Sequence, residues 1–165
     1  MASSDRPALK FESHPSPNFD ERPEGVPVDT IVIHATALAG LDQVIKHFAD
    51  PASKVSSHYT IDRDGTIVRH VPEDRRAWHA GQSKMKDGRT GVNDFSVGIE
   101  LVNLNDGLDP FPERQIEALR KLIKSIMTRH SIRDIVAHYQ CADPPGRKSD
   151  PVGFDPAWFN DLLEM

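Results

Sequence analysis

Short apolar runs and amphipathic segments alternate along most of the chain. Residues 31–33 form an uninterrupted apolar run typical of a buried strand, and residues 41–49 carry apolar side chains at helical spacing. The segments 56–62 and 66–71 flank an Asp-Gly pair, which predicts a β-hairpin. The first half of the chain is therefore predicted to contain a strand, a helix and a hairpin in succession.

The second half continues this alternation. Residues 95–102 form another apolar run, and Pro112 marks the start of the longest predicted helix. A strand is predicted for residues 134–138, and Asp155 and Pro156 supply the N-cap and the first-turn proline of a final helix. Because strands and helices interleave, the pattern predicts a single α/β domain with a mixed central β-sheet and helices packed against it.

In two stretches the apolar residues do not recur at the spacing of a helix or a strand. Residues 1–27 are rich in proline and predict an extended N-terminal arm, which leaves residues 28–165 as the folded domain. The polar segment from Pro72 to Asp94 is too long to be a neutral connector in a compact domain. A length of 165 residues is typical of one domain, so no second module is expected.

Composition and charge exclude several classes of protein. A formal net charge of −5 argues against a general nucleic-acid binder, which needs a basic face. No apolar stretch approaches the roughly 20 residues that cross a bilayer, so no transmembrane segment is expected. The chain has a single cysteine, and its N-terminus lacks the apolar core of a signal peptide, so a cytoplasmic location is expected. A periplasmic or secreted location is the alternative if a leader is missing. Nothing in the sequence marks an oligomeric interface.

Two histidines end predicted strands, and a carboxylate follows the second. His34 and His138 converge on one point if their strands are neighbours, and Asp150 lies after a loop long enough to fold back. Two histidines and one carboxylate are the protein ligands of a catalytic zinc site, which leaves its fourth position to water. Cys141 is an alternative third ligand, since thiolate also binds zinc well. Each histidine taken alone is better explained as a hydrogen-bonded residue at a sheet edge, and a turn residue before Pro151 is a common alternative role for Asp150.

Glu100 is an acidic residue in an otherwise apolar strand. A glutamate in such a strand is costly unless it faces the surface or a site. Alternation places Glu100 on the same face as Gly98, opposite Ile99 and Leu101. Spacing alone does not separate the polar face of an edge strand from an acid/base site, and Lys148 alone is explained as a solvated surface lysine.

Four segments in this order resemble the zinc-dependent N-acetylmuramoyl-L-alanine amidase family, type 2. They are IVIHAT, SSHYTIDRDGTIVRHVPEDRRAWHAGQS, NDFSVGIEL and AHYQCADPPGRKSDP, and the resemblance covers about residues 28 to 160. That family includes the AmpD-like and AmiD-like bacterial amidases and shares its fold with phage lysozyme-amidases and peptidoglycan recognition proteins. The resemblance therefore implies a peptidoglycan-recognition-protein-like α/β fold.

The resemblance also implies roles for individual residues. His34, His138 and Asp150 match the positions of the zinc ligands, which makes Cys141 a minor alternative. Glu100 matches the acid/base of the family's Gly-Ile-Glu motif. Lys148 would be the cationic partner of the oxyanion.

Trp78, His79 and Asn93 match family positions near the substrate groove, and we expect them to contact substrate. The planar guanidinium of Arg147 is expected to hold a carboxylate of the stem peptide. His58 is expected to be structural or to support a ligand, and not to bind the metal itself. The implied reaction is hydrolysis of the amide between N-acetylmuramic acid, or its 1,6-anhydro form, and L-alanine, in peptidoglycan or its turnover fragments. The alternative is a non-catalytic peptidoglycan-binding module on the same fold, and the presence of Asp150, Glu100 and Lys148 favours the enzyme.

Overall fold

The computed structural model describes residues 9–165, so the first part of the predicted arm, residues 1–8, lies outside the described residues. The described chain contains the following strands: β1 Phe11–Ser13, β2 Phe19–Glu21, β3 Thr30–Ala35, β4 Tyr59–Ile61, β5 Ile67–Arg69, β6 Arg75–Ala77, β7 Ser96–Leu101 and β8 Asp134–Ala137. Its α-helices are α1 Leu41–Ala49, α2 Glu113–Met127, α3 His138–Cys141 and α4 Asn160–Leu163. Short 3-10 turns span Pro51–Ser53, Val92–Phe95 and Pro156–Phe159.

Six of these strands form the central sheet, in the order β1-β5-β4-β7-β3-β8. Strands β4, β7, β3 and β8 run parallel, while β4 and β5 form the antiparallel hairpin that the Asp-Gly turn predicts. The sheet is therefore mixed and has helices against it, which confirms the predicted α/β architecture. Because four neighbouring strands are parallel, their carboxyl ends meet at one edge of the sheet.

The apolar core lies between the sheet and α2. Alternate residues of β7 face this core, and α2 presents one continuous apolar stripe to them. The stripe consists of Leu119, Leu122, Ile123 and Ile126, each at most 1% exposed. Burying one such side chain contributes about 1.5–3 kcal/mol, so this face supplies much of the stability.

Residues 9–27 are joined to the domain by strands and by side chains. Strand β1 extends the central sheet beside β5, and β2 pairs with β6. The Arg22 guanidinium donates to the carbonyl oxygens of Glu73, Asn93 and Ser96 at 2.8–3.1 Å. This part of the chain therefore fixes the long polar segment that precedes β7.

Two predicted boundaries differ from the structure. The strand predicted for residues 134–138 ends at Ala137, because His138 already begins α3 and Gln140 Oε1 accepts the Ala137 N–H at 2.9 Å. The polar segment from Pro72 to Asp94, for which no strand or helix was predicted, contains β6 and most of a 3-10 turn. Within residues 9–165, no helix has both the length and the apolar character needed to cross a membrane.

Candidate metal centre

Neighbouring strands place His34 and His138 side by side. Ile33 of β3 lies opposite Ala137 of β8, so both histidines occur at adjacent strand ends. The two Nδ1 atoms are 3.1 Å apart. Asp150 completes the group, with Oδ2 at 3.3 Å from His34 Nδ1 and Oδ1 at 3.0 Å from His138 Nδ1. The structure therefore brings the three predicted ligands together, with their donor atoms within 4.8 Å of one another.

The spacing of these three donors fits a zinc ion. Zinc binds nitrogen and oxygen at about 2.0–2.2 Å in a tetrahedron, which sets neighbouring donors about 3.3 Å apart. The observed separations are 3.0–3.3 Å. Two imidazoles and a carboxylate are also the donor set of a site that keeps one position open for chemistry.

Hydrogen bonds to the second ring nitrogen orient both imidazoles. His138 Nε2 lies 3.0 Å from the carbonyl oxygen of Ala80. Since a carbonyl only accepts, His138 Nε2 carries a proton, and Nδ1 is the ring atom that faces His34 and Asp150. His34 Nε2 lies 2.9 Å from Nδ1 of His79. Both ligands therefore have an outer partner that holds the ring.

The charges in this cluster also suit a cation. Burial lowers the pKa of His34 to about 4, against the opposing effect of Asp150, so the imidazole is neutral at pH 7. Burial alone would raise the pKa of Asp150, but its contacts with the His138 and His34 rings outweigh burial and lower this pKa well below its ordinary value. A neutral imidazole and an ionised carboxylate are the forms that bind metal.

Cys141 does not join this group. Its side chain is buried in an apolar cluster with Val32, Ala80 and Phe95. Burial raises the pKa of the thiol to about 11, which disfavours the thiolate that binds metal. The geometry therefore favours Asp150 over Cys141 as the third donor.

Glu100 lies on the strand beside His34. The two residues are opposite each other in the β3–β7 register, and Glu100 is only 8% exposed. Burial raises the pKa of the Glu100 carboxyl well above its ordinary value, and the nearby charge of Asp150 raises it further. A carboxyl group in this environment exchanges a proton nearer neutral pH than an exposed glutamate does.

A cavity of about 350 Å³ opens over the cluster. The three candidate ligands and Glu100 line it, together with residues of α1 and of the segment after it. Lys148 is exposed and also lines the cavity, together with Arg147. Trp78 also lines the cavity, with its Nε1 donating to Asp20 Oδ1 at 3.2 Å. The volume is within the range of small-molecule sites.

Three residues expected to contact substrate also bond to the protein itself. The ring of His79 lies between His34 and Ser96, with Nε2 2.9 Å from Ser96 Oγ. Asn93 Oδ1 accepts the N–H groups of His79 and Ala80. Arg147 Nη2 donates to the carbonyl oxygens of Ala80 and Gln82, both at 2.9 Å. Their contact with substrate stays a prediction.

Two residues near the cluster were not singled out from the sequence. Asn105 lines the cavity, and its Oδ1 accepts the Val152 N–H at 2.7 Å, which holds the chain just after Asp150. Its signal is an Asn-Asp-Gly turn a few residues after Glu100. The second residue is Ser96, which contacts His79, and no feature of the sequence marks it. His58, expected to be structural, accepts the Gly98 N–H at 3.0 Å through Nδ1.

Comparison with known proteins shows the family of this chain. The family model described as N-acetylmuramoyl-L-alanine amidase matches residues 24–153. The chain is 34% identical over 171 residues to the 1,6-anhydro-N-acetylmuramyl-L-alanine amidase AmpD of Citrobacter freundii, covering 90% of this chain and 88% of that protein.

Solved structures show the same likeness. A crystal structure of a selenomethionine AmpD derivative superposes with a TM-score of 0.81 at 34% identity, covering 94% of this chain and 96% of that one. The amidase AmiD from E. coli, solved in complex with anhydro-N-acetylmuramic acid-L-Ala-D-gamma-Glu-L-Lys, gives a TM-score of 0.67 at 33% identity, covering 81% and 61%. The motifs, the fold and these relatives agree, and the chain belongs to the N-acetylmuramoyl-L-alanine amidase family.

Proposed function

We propose that this amidase uses zinc, held by His34, His138 and Asp150, to cleave the bond between N-acetylmuramic acid and L-alanine in 1,6-anhydro muropeptides. The observation that carries the proposal is the convergence of three metal donors at 3.0–3.3 Å beside a buried glutamate. Zinc in such a site supplies Lewis acidity that activates water and polarises a carbonyl.

Glu100 is proposed to move the proton. Glu100 lies opposite His34 in the sheet and lines the same cavity as the three candidate ligands. The ionised form takes a proton from the attacking water, and the protonated form returns it to the leaving amine. Burial raises the pKa of Glu100 well above its ordinary value, which favours the protonated form that returns the proton.

Lys148 is proposed to stabilise negative charge that develops on the carbonyl oxygen. It lines the same cavity two residues before Asp150, and its positive charge lowers the pKa of both His34 and Glu100. Its field therefore reaches the place where the reaction occurs. A well-placed donor of this kind contributes about 3 kcal/mol to the transition state.

The relatives support the choice of substrate. AmpD of Citrobacter freundii is named for the 1,6-anhydro muramyl amide, and AmiD binds an anhydro-muramyl tripeptide in its solved complex. The AmpD likeness extends over nearly the full length of both chains. We therefore propose 1,6-anhydro muropeptides as the first substrate class to test, with intact peptidoglycan as the second. The cytoplasmic location stays a prediction.

Mass spectrometry of reaction products tests the proposal. Purified protein should release the peptide from a defined anhydro-muropeptide, and a chelator should abolish this until zinc is restored. Intact peptidoglycan serves as the comparison substrate. Cleavage that persists after all metal is removed would refute the zinc site. Binding of the muropeptide without cleavage by the zinc-loaded protein would favour a recognition module instead.

A further inference from the structure

The dipeptide His79-Ala80 contacts both candidate histidine ligands from outside. The His79 ring meets His34 Nε2 at 2.9 Å, and the Ala80 carbonyl oxygen meets His138 Nε2 at 3.0 Å. The rings of His34 and His79 are nearly perpendicular, with an interplanar angle of 88° and centroids 5.0 Å apart. One short segment therefore determines how both imidazoles are held.

Gly98 of β7 leaves space for the ring of His79. A Cβ atom added at Gly98 would lie 2.4 Å from Cγ of His79, so a larger residue would push the ring away. Asn93 fixes the segment from the other side, because its Oδ1 accepts both N–H groups of the dipeptide. The position of the His79 ring is thus set by a close approach below and by hydrogen bonds at each end.

We propose that His79 is a positioning residue, which holds His34 in the tautomer that presents the Nδ1 lone pair to the metal. In this state His34 Nε2–H donates to His79 Nδ1. Neutral His79 then carries its own proton on Nε2 and donates it to Ser96 Oγ, 2.9 Å away. Outer partners of this kind fix the ring and increase the basicity of the ligand.

This inference rests on the proposed zinc site, and it changes the expected role of His79. A substrate contact would act on KM, whereas a positioning residue acts first on the metal. Replacing an outer partner of a metal ligand typically lowers metal affinity about 10- to 100-fold. The two roles therefore separate by measurement of zinc affinity in the absence of substrate.

The decisive variants are His79→Phe and His79→Asn. Phenylalanine keeps a ring above Gly98 but removes the hydrogen bond, whereas asparagine offers an acceptor oxygen near the position of Nδ1. Zinc affinity, measured by competition with a chromophoric chelator, should fall about 10- to 100-fold in His79→Phe and recover in His79→Asn. His47→Phe is the matched control, since His47 lines the same cavity without touching a ligand and should leave zinc affinity unchanged.

Thermal unfolding of the metal-free variants separates misfolding from a lost contact. If His79→Phe does not fold, Ser96→Ala replaces it, because that change keeps the ring and removes only the outer hydrogen bond; a smaller fall in zinc affinity is then expected. Unchanged zinc affinity with a raised KM would overturn the inference and assign His79 to the substrate. Wild-type protein that binds no zinc would instead overturn the proposed function.

Discussion

The two faces of strand β7 differ in what they bury. Val97, Ile99 and Leu101 point into the core beneath α2 and are fully buried among large apolar side chains. Gly98 and Glu100 point to the other face, where the first lies under His79 and the second lies beside His34. Consecutive residues of one strand therefore belong to an apolar core and to a polar site.

The face of β7 that packs against α2 stabilises the fold, whereas the opposite face, called the site face, carries the chemical groups. The α2 face gains free energy from buried apolar area. The site face holds a buried acid whose raised pKa shows that its charged form is disfavoured there. Functional groups of this kind cost stability, which the opposite face must offset. Substitutions on the site face should change metal binding or turnover, and substitutions on the α2 face should change the free energy of unfolding.

The largest effect is expected from Asp150→Ala on the site face. This change removes one of the three proposed metal donors and the carboxylate that lies 3.0–3.3 Å from both histidines. Zinc and activity should be lost together, with turnover reduced more than about 1,000-fold because the Lewis acid is gone. Metal content after dialysis and the rate of anhydro-muropeptide cleavage measure the two effects.

Cys141→Ala is the control for that variant. The thiol lies in an apolar cluster, so its removal should leave the zinc content unchanged. Loss of zinc from Cys141→Ala, with zinc retained in Asp150→Ala, would reverse the assignment of the third ligand.

Glu100→Gln should separate turnover from metal binding. Glutamine keeps the size of the side chain but cannot exchange the proton, so kcat should fall about 100- to 10,000-fold while the zinc content stays that of the wild type. Steady-state kinetics of the zinc-loaded protein provide the measurement. A variant with full activity would rule out the acid/base role of Glu100.

On the opposite face, Ile99→Ala should affect only stability. Ile99 is fully buried against α2, so truncation leaves a cavity and should lower the free energy of unfolding by about 3 kcal/mol. Urea unfolding measures this loss, and kcat per folded molecule should be unchanged. A large fall in kcat at full zinc occupancy would show that the two faces are not independent.

Glu73 should contribute to stability in a way that depends on pH, without affecting the site. It bonds Tyr59, Arg129 and His130 at the end of α2. Burial opposes its ionisation, but these partners outweigh burial and lower the pKa of Glu73 to about 2. Because the pKa falls below the ordinary value of 4.5, the ionised group stabilises the fold above about pH 4.5, and this contribution is lost as the pH falls towards 2.

Glu73→Gln should therefore lower the free energy of unfolding by about 2 kcal/mol at pH 7. Urea unfolding at several pH values should show the difference from wild type shrinking below pH 4.5, while zinc affinity at pH 7 is unaffected. A difference that stays constant down to the acid limit would mean that the Glu73 charge is not its cause.

Local patterns in the sequence predicted much of the fold. Helical spacing gave the bounds of α1, and alternation placed Glu100 on the face opposite Ile99. The pairing of His34 with His138 required their strands to be neighbours, and the β3–β8 register supplies that contact. The bounds of α1 and the face of Glu100 follow from the spacing of apolar residues, which repeats every two to four residues and can be read directly from a sequence.

The long segment before β7 could not be predicted in the same way. Its position depends on bonds from Arg22, about 50 residues or more away in sequence, and on the space above Gly98. His79 was therefore assigned to the groove by resemblance, and its contact with His34 was not foreseen. A glycine on the same face as Glu100 was the available signal, because a missing side chain permits a close approach.

Gly98→Ala is the smallest and most specific test of the difference between the faces. The new methyl group would overlap the His79 ring and shift it from His34, without changing any group that bonds metal or substrate. Zinc affinity should fall about tenfold, by competition with a chelator, because the outer partner of His34 is displaced. Gly40→Ala is the matched control, since a Cβ there meets nothing within 4 Å and zinc affinity should not change. Equal zinc affinities for Gly98→Ala and Gly40→Ala would mean that the ring of His79 adapts to the new methyl group. The site face would then tolerate a substitution of a kind that the α2 face does not.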